Sequence, residues 1–332
     1  MMTEISTFVT DETCPYHNLA MEEELLYAVK SGECILYLWQ NRNTVVIGRN
    51  QNSRAECRID TLEKDGGFLA RRLSGGGAVF HDLGNLNFTF LMREADYDLT
   101  RQLNVILRAV QSFGIPAEKT GRNDLTVCGQ KFSGNAFYHT NGRAYHHGTL
   151  LLDVDFEKLT HYLTVAPDKL ASKGVASVRS RVVNLASLNR EVTVERMKNA
   201  LVSAFGQEYQ LPPTPFCESR ISRESLARRT EKFASFAWRI GTQPAASCVL
   251  QKRFDWGGVA LHLQTNGGII AQAQVYTDAM DADFAPLVAQ CLHGVVFAPN
   301  AAVQALRHSD GASADKLRQV AEMMEEWFDE HI

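Results

Sequence analysis

The sequence lacks any apolar run of the roughly 18 residues that a membrane-spanning helix needs. It also lacks an excess of positive charge, because 34 lysines and arginines stand against 38 aspartates and glutamates, for a formal net charge of -4. The first residues do not combine a basic segment with a long apolar one, as a secretory signal would. We therefore expect a cytoplasmic protein that binds neither a membrane nor nucleic acid.

Cysteine pairs at metal-binding spacing are missing as well. The seven cysteines are scattered along the chain, and none belongs to a CxxC pair. An odd and dispersed set argues against a disulfide framework and a structural zinc site, and it is typical of a reducing compartment. With 45% hydrophobic residues, the 332-residue chain can build the cores of about two globular domains.

Interspersed strand and helix patterns predict an α+β protein with two domains. We expect residues 1–243 to form a large domain with a mixed, largely antiparallel sheet, and residues 244–332 to form a small α/β domain. The apolar residues of 98–113 recur at helical spacing, which predicts an amphipathic helix. Apolar and polar residues alternate over residues 86–90, which predicts a half-buried strand.

Three further elements are expected around the candidate site. Asn18 is a residue type that caps helices, so a helix is predicted to begin near Leu19. Residues 53–64 indicate one helix, which the glycines at 66–67 would end. Residues 132–138 indicate one strand.

The most distinctive stretch is residues 69–91, LARRLSGGGAVFHDLGNLNFTFL. Glycines 75–77 let a ligand approach the main chain, and successive amides in such a turn can bind an anion. Arg71 and Arg72 add donors suited to phosphate or carboxylate. The spacing matches neither a P-loop nor a dinucleotide fingerprint. We interpret this turn as a phosphate site, while a plain glycine-rich hairpin with surface arginines remains the alternative.

A second group of polar residues follows. Asn123 and Asp124 offer the hard oxygen ligands that suit a Mg²⁺ bridging phosphates, although such a pair often only forms a turn. Lys131 precedes several small residues, which would leave room for a ligand beside its ammonium group. An exposed lysine on an edge strand is the alternative.

Three more features have open alternatives. His146 and His147 point to opposite faces of a strand, so one is expected to face the site and the other to face out. The basic segment 173–181 is either a solvated surface or a lid that closes over a nucleotide. Cys128 could carry an acyl group, but no general base adjoins it, which favours a structural role.

Together these segments resemble the bacterial lipoate-protein ligase A family. The similarity follows the family's order and continues into residues 253–262. The matching segments are RRLSGGGAVFHDLGN at 71–85, GRNDL at 121–125, KFSGNA at 131–136, HHGTLL at 146–151 and KGVASVRSRVVNL at 173–185.

The resemblance implies a catalytic domain of the biotin and lipoate ligase type with a C-terminal accessory domain. It also implies a two-step reaction, in which ATP·Mg²⁺ and lipoate give lipoyl-AMP and pyrophosphate before the lipoyl group passes to a lysine. The acceptors would be apo lipoyl domains, such as E2 subunits of 2-oxoacid dehydrogenases and the glycine-cleavage H protein. We expect the enzyme to be a monomer.

The resemblance also implies residue roles. Lys131 would be catalytic, contacting both the lipoyl carbonyl and the α-phosphate, and Asp124 would be a Mg²⁺ ligand. The residues implied for ATP or the adenylate are Arg72, Ser74, Gly75, Gly76, Gly77, Ala78, Val79, Phe80, Asn123, Lys131, Lys173 and Arg179. Those implied for lipoate are Leu19, Trp39, Arg72, Val79, His81, Lys131, Ser133, Gly134, Ala136, His147 and Gly148.

Two other functions remain open at this point. One is acyl transfer without ATP through a cysteine, as in octanoyltransferases. The other is a lipoyl-domain binding module without catalysis, which the presence of Arg72, Lys131 and the complete glycine turn disfavours. The two phosphate-type motifs and the C-terminal domain favour ATP-dependent ligation.

Overall fold

The computed structural model describes residues 2–120, 124–164, 182–241, 246–309 and 311–331. The chain divides into two compact units. The first comprises Met1–Ile47, Ser53–Arg72 and Ala78–Arg239, and the second comprises Gly48–Asn52, Leu73–Gly77 and Ile240–Ile332. The predicted boundary between residues 243 and 244 lies outside the described residues, so that division stays a prediction.

The strands and helices are short to medium in length and are interspersed along the chain. The strands are β1 (Glu4–Val9), β2 (Glu33–Trp39), β3 (Thr44–Ile47), β4 (Phe68–Arg71), β5 (Val79–His81), β6 (Asn85–Arg93), β7 (Ala117–Thr120), β8 (Asp124–Val127), β9 (Gln130–Ser133), β10 (Asn135–Thr140), β11 (Arg143–Leu151), β12 (Thr214–Pro215), β13 (Cys248–Phe254), β14 (Gly257–Asn266) and β15 (Ile269–Thr277). The helices are α1 (Pro15–Ala28), α2 (Ser53–Glu56), α3 (Ile59–Lys64), α4 (Leu99–Gln111), α5 (Phe156–Tyr162), α6 (Leu185–Leu188), α7 (Val194–Tyr209), α8 (Arg223–Ala234), α9 (Phe236–Arg239), α10 (Phe284–Leu292), α11 (Pro299–Arg307) and α12 (Ala314–His331).

Six strands form the largest sheet, in the order β10, β11, β6, β2, β1, β12. The first four of these strands pair antiparallel, whereas β1 pairs parallel with both β2 and β12. Two three-stranded sheets, β4-β3-β5 and β7-β8-β9, belong to the same unit. This arrangement confirms the predicted α+β class with a mixed, largely antiparallel sheet.

The central strands β2 and β6 of the six-stranded sheet are buried on both faces. Phe88 and Phe90 of β6 join an apolar core with side chains from α4 and α7. The alternate residues Asn87 and Thr89, which point to the other face, are polar and nevertheless buried. The prediction of a half-buried strand at residues 86–90 is therefore wrong, because α1 packs against the second face.

Hydrogen bonds compensate for burial on this polar face. Trp39 Nε1 donates to Thr89 Oγ1 at 3.1 Å, and the Thr89 hydroxyl donates to Oε1 of Glu22 on α1 at 2.7 Å. Buried polar groups cost free energy unless they are hydrogen-bonded. This chain of bonds therefore ties α1 to β2 and β6.

Two helices differ from the prediction. Helix α1 begins at Pro15, a residue that suits the first helical position because it needs no amide hydrogen there. Asn18 is therefore not its cap but a buried residue within the helix. Residues 53–64 form two helices instead of one, because the main chain at Arg58 turns away to donate to the Tyr162 carbonyl at 2.9 Å.

The helix predicted over residues 98–113 is confirmed as α4. The Asp98 side chain caps it by accepting a hydrogen bond from a main-chain amide of the first turn. After α4 the chain reverses through Gly114, whose φ of 72° is in the left-handed region that favours glycine.

The strand predicted over residues 132–138 is instead two strands, β9 and β10, which meet at Gly134. The Gly134 carbonyl accepts from the Thr149 amide at 2.9 Å, and the Gly134 amide donates to Thr149 Oγ1 at 3.1 Å. These contacts draw Gly134 towards β11 and interrupt the run between β9 and β10.

The second unit has its own core. Strands β13, β14 and β15 form an antiparallel sheet. Val259, Leu261 and Leu263 alternate on β14 and pack with buried residues of α10, α11 and α12. Among the residues that the structure describes, no helix is long and apolar enough to cross a membrane.

Replacing Thr89 with valine tests the buried polar face, since valine keeps the shape and removes the hydroxyl. We expect Thr89→Val to lower the free energy of unfolding by about 1–3 kcal/mol, because buried Trp39 Nε1 loses its acceptor and Glu22 loses a donor. Thr140→Val, at the partly exposed end of β10, is the control and should change it by less than about 0.5 kcal/mol. Equal values for the two variants in urea unfolding would contradict this account.

Candidate active site

A buried carboxylate lies at the centre of the polar face. The register of β6 and β11 places Thr89 opposite His147, so both side chains project from the same face. Nδ1 of His147 is 2.8 Å from Oε1 of Glu22, the same oxygen that accepts from Thr89. Glu22 is only 1% exposed, and Leu19, one turn earlier on α1, is buried as well. Glu22 therefore joins α1 to two strands at one point.

His81 lies on β5 and is 4% exposed. Its ring meets Trp39 edge to face, with ring centroids 6.3 Å apart, and its Nδ1 is 3.2 Å from Asn41 Nδ2. Burial, followed by the nearby Arg72 and His147, lowers the pKa of His81 to about 3. The imidazole is therefore neutral at pH 7.

Arg72 supplies a buried cation to the first unit. Its Nη1 donates to the Val46 carbonyl at 3.2 Å. Burial lowers the pKa of Arg72 to about 10, while the nearby Tyr145 and Glu22 act in the opposite direction. The guanidinium thus stays protonated at neutral pH and lies within electrostatic range of Glu22 on the polar face. Its binding of an anion stays a prediction.

Arg71 makes different contacts from the adjacent Arg72. Its Nε donates to the Trp238 carbonyl at 2.8 Å, and its Nη2 donates to the Arg239 carbonyl at 3.0 Å. The Trp238 indole donates in return to the Arg71 carbonyl at 2.8 Å. These contacts attach α9 to β4, which the sequence pattern of two adjacent arginines did not indicate.

The two adjacent histidines do point to opposite faces, but neither faces out. His146 is fully buried on the core side, between Gln102 Oε1 at 3.0 Å and Asn135 Oδ1 at 2.9 Å. Burial, followed by the neighbouring His147, lowers the pKa of His146 to about 3. The prediction of one outward histidine is wrong because β11 is covered on both faces.

Lys131 and Asp124 are brought together on the neighbouring strands β9 and β8. Lys131 Nζ is 2.5 Å from Asp124 Oδ1, and the two side chains are 40% and 55% exposed. The Lys131 carbonyl also accepts from the Val183 amide at 3.0 Å. The structure thus joins the predicted catalytic lysine to the predicted metal ligand, next to the end of the segment 173–185.

The described side chains can be compared with the set of ligands that a Mg²⁺ ion requires. In the described ranges of the chain, no group of three or more His, Cys, Asp or Glu converges. A nucleotide-bound Mg²⁺ needs only one or two carboxylates, because phosphates and water supply its other ligands. The exposed carboxylate of Asp124 fits that requirement. Asn123, Lys173 and Arg179 lie outside the described residues.

The glycine turn belongs to the second unit, together with Ser74. A Cβ on Gly75 would fall 2.3 Å from the Ala279 carbonyl oxygen. Gly76 has a φ of 89°, and its amide donates to that same oxygen at 3.0 Å. A Cβ on Gly77 would meet nothing within 4 Å. Main-chain packing thus requires two of the three glycines, and anion binding by the turn stays a prediction.

The roles implied for the residues after the turn also stay predictions. Ala78 is followed by Val79 and Phe80, which pair with β3. Phe80 is buried and packs on Tyr162, with ring centroids 5.6 Å apart, whereas Val79 is partly exposed. Successive residues of a strand point to opposite sides, so these two side chains do not face the same way.

The remaining residues implied for lipoate divide between the two faces. Ala136 pairs with β11 on the polar face. Ser133 is fully buried, and its Oγ has no hydrogen-bond partner among the described residues. On the core face, a Cβ at Gly148 would stand 2.4 Å from the Gly134 carbonyl oxygen and 2.5 Å from the Phe88 ring. Packing within the sheet is therefore enough to require glycine at 148.

Sequence reasoning missed Glu22, Thr89 and Asn41. Glu22 stands in a run of three glutamates, which is typical of an exposed helix start. One signal was present, since Asn18 and Glu22 are four residues apart and share a helix face. That face meets the polar side of β6, which no pattern within one segment could reveal.

Comparison with known proteins adds to this geometry. The family described as the lipoyl protein ligase A/B catalytic domain matches residues 14–206, and the bacterial lipoate protein ligase C-terminus matches residues 243–327. A lipoate-protein ligase A of Psychrobacter cryohalolentis is 40% identical over 293 residues, which cover 86% of each chain.

Two solved structures are similar as well. The crystal structure of P. falciparum LipL1 in complex with lipoate has a TM-score of 0.83 and 26% identity, covering 97% of this chain and 99% of that one. A lipoate-protein ligase A bound with ATP has a TM-score of 0.62 and 26% identity, covering 73% of this chain and 99% of that one. With the family match spanning more than half of its length, the chain belongs to the lipoate-protein ligase family.

Proposed function

We propose that this chain activates free lipoate with ATP and transfers the lipoyl group to a lysine of a lipoyl domain, as an acid–amine ligase. The proposal rests on the position of Lys131. Its ammonium is partly exposed and bound to an exposed carboxylate, and exposed pairs of this kind stabilise a protein little. Lys131 can therefore exchange Asp124 for a phosphate at small cost.

The first step needs stabilisation of negative charge. A carboxylate oxygen of lipoate attacks the α-phosphorus of ATP, the new P–O bond forms, and pyrophosphate leaves with the electrons of the broken bond. A positioned cation is most effective where such charge develops. The ammonium of Lys131 and the buried guanidinium of Arg72, which both belong to the first unit, supply positive charge for this step.

The second step consumes the adenylate. The neutral amine of the acceptor lysine attacks the acyl carbon, an amide bond forms, a proton is released, and AMP departs with the bonding electrons. The same ammonium of Lys131 can stabilise the leaving phosphate. The acceptors that we propose are E2 subunits of 2-oxoacid dehydrogenases and the glycine-cleavage H protein.

Mg²⁺ belongs to the proposal through Asp124. When bound, the ion would neutralise phosphate charge and orient the nucleotide. The Asp124 carboxylate would hold one coordination position and would leave the Lys131 ammonium free to reach the α-phosphate. The ATP and lipoate named with the two similar structures support these substrates.

A cysteine-dependent transfer has less support. Cys128 is exposed in the turn between β8 and β9 and has a φ of 50°, next to Gly129 with a φ of 78°. Two consecutive left-handed residues are typical of a tight hairpin turn. This geometry gives Cys128 a local role in the hairpin.

Lys131→Ala should abolish adenylation while the protein stays folded. Loss of the positioned ammonium is expected to slow pyrophosphate release by about 10²-fold or more. Lys119→Ala, an exposed lysine of β7 in the same small sheet, serves as the control and should retain the rate. Undiminished pyrophosphate release from Lys131→Ala would refute the role assigned to this lysine.

Lipoylation should require ATP and a divalent cation. Mass spectrometry of an apo lipoyl domain incubated with the enzyme, lipoate, ATP and Mg²⁺ should show the added lipoyl mass. The addition should disappear when ATP is omitted or when EDTA is present. Equal modification without ATP, from an acylated donor, would instead indicate an acyltransferase.

Cys128→Asn should retain activity, because asparagine tolerates the left-handed conformation that the turn requires. The ligation rate is expected to stay within twofold of the original. Loss of activity in this variant, with unchanged thermal unfolding, would favour a thioester route through Cys128.

A further inference from the structure

Segment 182–186 connects the small sheet that carries Lys131 to the large sheet. The amide of Val183 donates to the Lys131 carbonyl at 3.0 Å, next to a parallel bridge between the two segments. On its other side, the segment reaches the residue that follows β11, where the Ala186 amide donates to the Leu152 carbonyl at 3.0 Å. The segment therefore lies between the strand of the proposed catalytic lysine and the end of a strand of the six-stranded sheet.

Asn184 attaches this segment through its side chain. Its Oδ1 accepts from the Val154 amide at 3.0 Å, and its Nδ2 donates to the Val154 carbonyl at 2.9 Å. A main-chain amide only donates and a main-chain carbonyl only accepts, so the carboxamide has one orientation and both of its ends are bonded. A carboxylate of the same shape would offer no donor to the carbonyl.

The chain that carries Val154 is itself fixed. In the turn between β5 and β6, the Asp82 carboxylate accepts from the Asp155 amide at 2.8 Å. The Gly84 carbonyl of the same turn accepts from the Asp153 amide at 2.9 Å. A Cβ on Gly84 would clash with the Asp153 carbonyl oxygen, so the two main chains are in direct contact. Val154 is therefore a fixed point of attachment.

Lys131 depends on this attachment because β9 is the last strand of its sheet, whose order is β7, β8, β9. On its inner side β9 pairs with β8, and the register there shifts between Leu125 and Thr126. The outer side of such a strand has unpaired main-chain groups, and the Val183 amide bonds to one of them at Lys131. Gly134 holds the other end of β9 through Thr149. Segment 182–186 thus holds the end that carries the lysine.

The position of the Lys131 ammonium follows from the position of its main chain. The side chain is 40% exposed and is bonded to Asp124, whose side chain is 55% exposed. Exposed contacts of this kind hold a long side chain weakly. Misplacing a reacting group by about 1 Å can slow a reaction about 10²-fold. A small movement of β9 would therefore be expressed in the rate.

We propose that Asn184 is a positioning residue for Lys131. By holding both main-chain groups of Val154, it fixes segment 182–186, and the Val183 amide in turn fixes the main chain of the lysine. The role in catalysis rests on the proposed function, whereas the attachment of β9 through Asn184 is a property of the protein alone. Asn184 touches no substrate and acts only through Lys131.

Asn189 is a matched control at the other end of α6. Its carboxamide also bonds to two main-chain groups, since its Nδ2 donates to the Phe113 carbonyl at 2.9 Å and its Oδ1 accepts from the Glu191 amide at 2.8 Å. Both asparagines are partly buried. Phe113 follows α4, so Asn189→Ala removes the same kind of bonds without affecting the attachment of β9.

Hydrogen exchange tests the attachment in the full-length protein without substrate. In Asn184→Ala the Val183 amide, isolated from overlapping peptides by mass spectrometry, should exchange about tenfold faster or more, because the segment opens more often. In Asn189→Ala the same amide should stay within about twofold of its original rate. Unchanged exchange at Val183 in Asn184→Ala would overturn the attachment, whatever the activity of the enzyme.

Pyrophosphate release with lipoate and ATP tests the positioning role. Asn184→Ala should lower kcat about tenfold or more. The KM values for lipoate and ATP should stay within about twofold, because binding persists while a group that acts in the transition state is misplaced. Asn189→Ala should change neither constant.

Asn184→Asp serves as a second variant in case the alanine variant does not fold. It keeps the size of the side chain and the acceptor for the Val154 amide, and it removes the donor to the Val154 carbonyl. Its kcat should fall as well, with the KM values unchanged. A kcat that stays at the original value in a folded variant at position 184 would overturn the proposal.

A double variant shows whether Asn184 acts through Lys131. In the Lys131→Ala background, Asn184→Ala should lower the residual rate by less than about twofold, because the group that it positions is already absent. A further loss as large as in the original protein would overturn the positioning role. If the original protein itself releases no pyrophosphate with lipoate and ATP, the proposed function fails and the role in catalysis fails with it, while exchange at Val183 still decides the attachment.

Discussion

The burial of the Glu22 carboxylate is the constraint on which the first unit depends. A carboxylate that is 1% exposed must be hydrogen-bonded, and here Thr89 and His147 meet the same oxygen. Those two residues lie on neighbouring strands, while Glu22 lies on α1. One acidic group therefore holds α1 against the sheet at this point. The face of the sheet that α1 covers is polar here, whereas a covered face is usually apolar.

The other parts of the candidate site follow from that polar face. Trp39 is held by Thr89, and the Trp39 ring in turn meets the edge of His81. Arg72 stays charged at pH 7 although it is buried, because burial lowers its pKa only to about 10. In contrast, Lys131 lies in a small separate sheet and is partly exposed, as the proposed exchange of Asp124 for a phosphate requires.

Much of the fold could be predicted from the sequence, because many helices and strands follow from residue patterns within a single segment. The periodicity of α4 and its Asp98 cap lie within one segment, and so does the alternation of β6. The burial of the polar side of β6 could not be predicted, since it depends on α1, which lies some 70 residues earlier. For the site, the residue types and the family resemblance predicted Lys131 and Asp124, which the structure places in contact, and their roles stay predictions. Glu22 and Asn41 were missed because their partners come from distant segments.

The contact between Gly76 and Ala279 has a consequence for how this chain could be divided. The turn at residues 73–77 is separated by about two hundred residues from the carbonyl that its central amide uses. A fragment that ends after Arg239 would retain every glycine of the turn and lose the main-chain oxygen that holds Gly76. The segment whose sequence suggests ligand binding most strongly therefore depends on a residue much later in the polypeptide, and both parts must be synthesised before the turn can take its shape.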